Sequence, residues 1–187
     1  CDTWHQCEIC SIATLGTPSR AAVADGIVLV AEDYAGLSVF RECFHSYWLA
    51  NAAHLAGMFG SHWLTDVAAR NLGTGTAHVQ FRLYSSDGVE HLFESVGSGA
   101  QGTFLDLVGL MGYEGKGCIE VRSDQPLQVS GRIFNQADEG TFGQYVDGYK
   151  PTDGLSSGES ATLLQLRQMR DEFRTNISVT NTGDEPA

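Results

Sequence analysis

The stretch TAHVQFRLYSSDG, residues 76–88, alternates apolar and polar side chains almost without a break. Successive residues of a strand point to opposite faces, so a period of two places Ala77, Val79, Phe81 and Leu83 inside. His78, Gln80, Arg82 and Tyr84 then face outward. An apolar sheet face must be covered by another layer, and this one requirement narrows the architecture more than any other feature.

Further short segments of the same kind recur between turn signals. DGIVLVAED (25–33) is expected as the first strand and GLSVFRECFHSYWL (36–49) as the second, while ANAAHLAGMFGSH (50–62), rich in small residues, is expected as a loop. WLTDVAARN follows as a strand, and Asn71 to Gly75 carries turn chemistry. After Asp87-Gly88, VEHLFESV continues the series. GCIEVRSD and PLQVSGRIFN form a hairpin-like pair around Asp124-Gln125-Pro126, and TFGQYVDGY adds another strand. Two windows have helical spacing: TFLDLVGLMG (103–112), with Phe104, Leu107, Val108 and Met111, and ESATLLQLRQMRDEF (159–173). The expected fold is all-β, an antiparallel immunoglobulin-like β-sandwich with one or two short helices, and a jelly roll is its rival. Its domains would be a cysteine-containing N-terminal arm (1–24), the sandwich (25–158), and a short helix plus the first strand of a second repeat (159–187).

Charge limits the partners. A formal net charge of −12, from 23 acidic and 11 basic residues, disfavours nucleic acid and anionic membranes, since both are bound through Lys and Arg. Nor does any stretch reach the roughly 20 continuous apolar residues of a membrane span. A signal peptide is expected to be absent or already removed, and a first residue of Cys favours a processed or excised chain.

Five cysteines, three of them in CDTWHQCEIC, fit disulfides better than a metal, because Cys43 and Cys118 stand too far apart to make a second close pair. Cys7, Cys10, Cys43 and Cys118 are the disulfide candidates, with three possible pairings. A bridge from the N-terminal segment to Cys43 or Cys118 would close the longer loop. Cys1 is left as a lipidation site or free thiol, or as the mere start of the observed chain. Disulfides would fit an extracellular compartment, and an acylated Cys1, as in a mature bacterial lipoprotein, would place the chain on a bacterial cell surface.

The chain also repeats itself. WLTDVAARNLGTGTA (63–77) and FRTNISVTNTGDEPA (173–187) align without a gap at an offset of 110 residues. Trp63 meets Phe173, Thr65 meets Thr175, Asp66 meets Asn176, Val67 meets Ile177, Asn71 meets Asn181, Gly73 meets Gly183 and Ala77 meets Ala187. Such an offset is about the length of one immunoglobulin-like domain.

Ala53, His54, Gly57, Gly60, Trp63, Thr65, Asp66 and Asn71 form the first part of a longer pattern. Arg132, Asn135, Gly140, Thr141, Phe142, Gly143 and Gln144 continue it, and Arg174, Thr175 and Asn176 close it. Over roughly residues 50–187 this pattern resembles modules of large secreted bacterial surface proteins. The resemblance implies an immunoglobulin-like, often tandem unit, mostly without assigned activity.

No catalytic constellation is legible. His54, His62 and Asp66 have a spacing that metal ligands use, but a buried, hydrogen-bonded His54 that organises the loop before the next strand is the better account. A turn or strand-end hydrogen bond explains both Asp66 and Asn176. Neighbouring acids at 32–33 lie on opposite strand faces and those at 138–139 in a turn, so they are not glycosidase pairs. Asn176-Ile177-Ser178 is a glycosylation sequon. Neither a cofactor nor a metal is expected.

The function expected is therefore a non-catalytic structural or adhesive module, associating with itself or other surface proteins. A segment carrying Phe173, Ile177 and Val179 would fold back to complete the first domain, open a further repeat of a longer protein, or add to a neighbour's sheet edge and so build a filament or array. The alternative is a lipid-anchored ligand- or glycan-binding protein, with aromatics such as Trp4, Tyr34, Tyr47, Trp48, Tyr113, Tyr145 and Tyr149 stacking on sugar rings.

Overall fold

The computed structural model describes residues 18–24, 27–32, 36–41, 44–57, 60–138, 140–169 and 175–183. The protein is all-β and antiparallel, with a single short α-helix among these residues. It divides into two compact units, residues 1–44 and 45–187.

In the first unit, β1 (Pro18–Ala24), β2 (Ile27–Glu32) and β3 (Gly36–Arg41) form an antiparallel meander in that order. A strand thus begins within the expected arm. The segment 36–49 is likewise not one strand, since β3 stops at Arg41 and the next strand starts at His45 in the second unit.

The second unit holds β4 (His45–Ala56), β5 (His62–Asn71), β6 (Ala77–Ser85), β7 (Gly88–Val96), β8 (Gln101–Phe104), α1 (Leu107–Leu110), β9 (Gly115–Ser123), β10 (Leu127–Ala137) and β11 (Gly140–Asp147). Their order across the sheet is β11-β10-β5-β4-β9-β6-β7, with β8 also on β5. The two halves of this path fold onto one core. Leu49, Val79, Phe81, Leu83, Ile119 and Val121 come from the β4-β9-β6 half, and Val67, Ala69, Leu127 and Val129 from the β5-β10 half. Phe81 meets the Phe104 ring edge-on across that core, with centroids 4.7 Å apart. All four predicted inward residues of β6 are fully buried.

The halves part at the β4–β5 pair, which has only two registered positions, Leu55↔Trp63 and Ala56↔His62. Beyond them β4 runs with β9, through an irregularity between Leu49 and Ala52, while β5 takes β8 along Val67↔Phe104 to Arg70↔Gln101. At this fork the Thr65 hydroxyl stands in for the missing ladder. It donates to the Ala53 carbonyl (3.0 Å) and accepts from the Ala53 N–H (2.7 Å), all buried.

Several sequence expectations change here. Residues 50–56 continue β4 rather than forming a loop: Ala52 and Ala53 are buried and pair with Gly117 and Lys116 of β9. Asp124-Gln125-Pro126 joins β9 to β10, but these strands do not pair, since β9 lies between β4 and β6 and β10 between β5 and β11. The window 103–112 is one helical turn preceded by the end of β8. Residues 159–169 form no helix: Leu163, Leu164 and Leu166 are exposed, and a short helix without a surface to pack on is marginal. Residues 175–183 join no ladder. Cys1, Cys7, Cys10 and Cys43, together with Trp4, Tyr34, Phe173 and Arg174, lie outside the described residues. Cys118 is a free thiol among the described ones.

Candidate functional site

Strand alternation sends Trp48 (β4), Arg82 and Tyr84 (β6), and Cys118, Glu120 and Arg122 (β9) to the face opposite the core. Register brings them together, with Trp48 opposite Glu120, Glu120 opposite Arg82, and Cys118 opposite Tyr84. Glu120 is only 8% exposed and gathers the others. Its Oε2 accepts from Arg82 Nη1 (3.0 Å) and the Tyr84 hydroxyl (2.9 Å), and its Oε1 from the Ser46 hydroxyl (2.8 Å). Arg122 Nε stands 3.9 Å from Oε1. Burying a carboxyl group is costly unless its oxygens find hydrogen-bond partners, as they do here. Trp48 stacks on Tyr84 (5.4 Å between centroids, 28° between planes), and the Arg82 guanidinium sits 5.2 Å from the Tyr84 ring centre. Burial and the hydrogen bond to Glu120 push the Tyr84 hydroxyl up to about 12. Burial likewise raises the Cys118 thiol, so it remains uncharged at neutral pH.

Residues 179–183 cover part of this face and complete a groove of about 640 Å³. The Thr180 hydroxyl donates to the Ala50 carbonyl (3.4 Å). Two buried donors of the lining, Trp48 Nε1 and Arg82 Nε, have no hydrogen-bond partner among the described residues. Of this cluster only Trp48 and Cys118 were singled out by sequence reasoning. The available signal was the outward set of each alternating strand, where Arg82 and Tyr84 already stood together.

The pattern around His54 resolves into structure. His54 Nδ1 lies 2.9 and 2.8 Å from the two Asp106 carboxylate oxygens. Its ring meets His62 edge-on at 5.5 Å, the His62 N–H donates to Asn135 Oδ1 (2.7 Å), and Asp66 Oδ1 accepts from the Asp106 N–H (2.9 Å). His54 therefore ties β4 to the loop before α1. The adjoining hollow of about 440 Å³ is lined by Leu105, Gly109, Leu110 and Tyr113 among others, and its described lining holds no Ser, Thr or Cys. No group of three metal-ligating side chains is placed to hold an ion among the described residues. Gly57 packs against Trp63, where a Cβ would fall 2.8 Å from the indole nitrogen, and Gly60 holds a left-handed φ of +75°.

GRIFNQADEGTFGQY is the β10–β11 hairpin, in which Arg132 bonds Thr141 and lies 4.4 Å over the Phe134 ring. Among the described residues β11 has β10 on one side and no strand on the other. Phe142 and Tyr145 are exposed along it.

The second repeat copy reproduces two contacts of the first. The Thr175 hydroxyl donates to the Arg167 carbonyl (2.7 Å) and accepts from the Arg167 N–H (3.2 Å), as Thr65 does with Ala53. Asn181 Oδ1 accepts from the Gly183 N–H (3.0 Å), as Asn71 Oδ1 does from Gly73 (2.8 Å). Asn176 is exposed and outside any strand.

No family model matches the chain, and no curated protein matches it. Among solved structures it is similar to one described as Thermotoga maritima 1070, at 14% identity and a TM-score of 0.49, over 57% of this chain and 93% of that one. The functional reading accordingly rests on the residues of this chain.

Proposed function

We propose that the chain is a non-catalytic extracellular module, an immunoglobulin-like β-sandwich of a repetitive bacterial surface protein, which associates with copies of itself by β-strand addition. The observation that carries this is a contrast between equivalent residues. Val67 and Ala69 are 1% and 0% exposed, whereas Ile177 and Val179, at the same repeat positions, are 57% and 92% exposed. Side chains suited to a core thus lie in water, as do Leu163, Leu164 and Leu166. The open β11 edge, with Phe142 and Tyr145 and without a Lys or Pro to blunt it, is the surface such a segment would join.

Sedimentation of the whole chain over a concentration series tests this. Association that grows with concentration and is abolished in the Ile177→Asp/Val179→Asp variant is expected. A single-chain mass at every concentration overturns it. A second reading, a ligand-binding surface protein, is favoured by the groove on the β4-β9-β6 face.

A further inference from the structure

His54 and His62 share one face of the β4–β5 pair. Ala56 lies opposite His62 in the register, and His54, two residues before Ala56, projects to the same side, so the two histidines are diagonal cross-strand neighbours. Their ring centres stand 5.5 Å apart with 69° between the planes. His62 is exposed and His54 half-buried. The Asp106 oxygens stand 2.9 and 2.8 Å from His54 Nδ1. A carboxylate only accepts, so Nδ1 carries the proton and donates, and in the neutral ring Nε2 carries the lone pair. Asp106 is held in turn, its N–H donating to Asp66 Oδ1 and its side chain accepting from the Gly109 N–H. A carboxylate behind one ring nitrogen and a lone pair at the other is the arrangement that orients a metal-binding imidazole.

A ring nitrogen lies about 2.0–2.1 Å from a bound zinc ion, which puts the ion roughly 3.2 Å from the ring centre. Two imidazoles sharing one ion at a tetrahedral angle then have centres about 5 Å apart, close to the 5.5 Å between these two rings. We propose that His54 and His62 together bind one divalent transition-metal ion of the zinc class, His54 through Nε2, with Asp106 orienting it from behind and water completing the coordination. Two protein ligands make an exchangeable site and not a closed structural one, and no third ligating side chain joins them among the described residues. Ligand type sets the class of ion, because imidazole suits zinc and copper whereas magnesium and calcium take oxygen. A bound ion would cross-link the β4–β5 pair where its ladder has only two registered positions.

Imidazole nitrogen NMR spectra of the full chain, titrated with zinc chloride, test the site, with magnesium chloride as the comparison arm. Before zinc is added, His54 is expected as the Nδ1–H tautomer. Zinc is expected to shift His54 and His62 together along one saturating curve, while magnesium moves neither. Zinc taken up by cysteines elsewhere in the chain would leave both rings unmoved, so the readout belongs to this pair. His62→Gln, at an exposed position, is expected to raise the zinc concentration needed at His54 at least about tenfold. Asp106→Asn keeps an acceptor but removes the charge that makes His54 more basic, and is expected to weaken binding about tenfold. His54 in the Nε2–H tautomer, a response of one ring without the other, or no response at millimolar zinc overturns the site. Equal shifts with magnesium overturn ligation by imidazole. An unchanged His54 response in folded His62→Gln overturns the sharing of one ion, and unchanged affinity in Asp106→Asn overturns the part given to Asp106. None of these readings depends on self-association, so a strictly monomeric chain that binds zinc here would refute the assembly proposal and leave this one standing.

Discussion

Thr65 and Ala53 hold each other twice: one hydroxyl donates to the carbonyl and accepts from the N–H of the same residue. Where β4 turns away from β5 this side chain does the work of a strand. Thr65→Val preserves shape and branching but leaves both Ala53 groups buried and unpaired. A loss of about 2–4 kcal/mol is expected, read from urea denaturation. Thr175→Val, at the matching position outside the core, should leave the midpoint unchanged.

Asn71 is fully buried and makes three bonds that shape the turn after β5. It donates to the carbonyls of Gly75 (2.8 Å) and Val96 (2.9 Å) and accepts from the Gly73 N–H. Asn71→Ala should therefore cost about 2–3 kcal/mol, whereas Asn181→Ala, on an exposed turn, should fall within about 0.5 kcal/mol of the parent. Equal effects of the two would contradict the burial difference.

Asp106 occupies the left-handed region at φ 49°, caps Gly109 and receives the His54 ring. Asn tolerates that backbone and still offers an acceptor, so Asp106→Asn should lower stability by about 1 kcal/mol or less. Asp106→Val combines a strained backbone with loss of the cap and should cost about 2–3 kcal/mol. Comparing the two denaturation midpoints separates conformation from charge.

Tyr84 should titrate late. Its ordinary value near 10 is raised to about 12 by burial and by the bond to Glu120. Because the folded value is the higher one, the stabilising contribution is complete below pH 10 and is lost as pH rises through about 12. Tyrosinate absorbance should show a step near pH 12 among the six tyrosines. Tyr84→Phe should remove it.

What the sequence made legible follows burial. β6 is read correctly because one whole face is in the core, so Val79, Phe81 and Leu83 leave an unbroken period of two. β4 is missed over 50–56 because its inward residues there are alanines, whose place is set by neighbouring strands and not by their own propensity. The 124–126 turn resembles a hairpin locally, and nothing in three residues records that β9 and β10 have different partners. The apolar spacing of 159–169 suits a helix, but periodicity alone does not provide a surface for Leu163 and Leu166 to pack on. The groove eluded the reading for a related reason. Its residues come from three strands separated by dozens of positions, and only the register aligns Trp48, Glu120 and Arg82 in one row.

Val179 belongs at once to the groove wall and to the exposed apolar stretch. On the assembly proposed above, a neighbour that captured this stretch as a strand would draw Thr180 away from the Ala50 carbonyl and open the groove. Groove and assembly contact would then be alternatives, and whatever held residues 179–183 on the sheet would weaken the contact by the same factor that the contact weakened it.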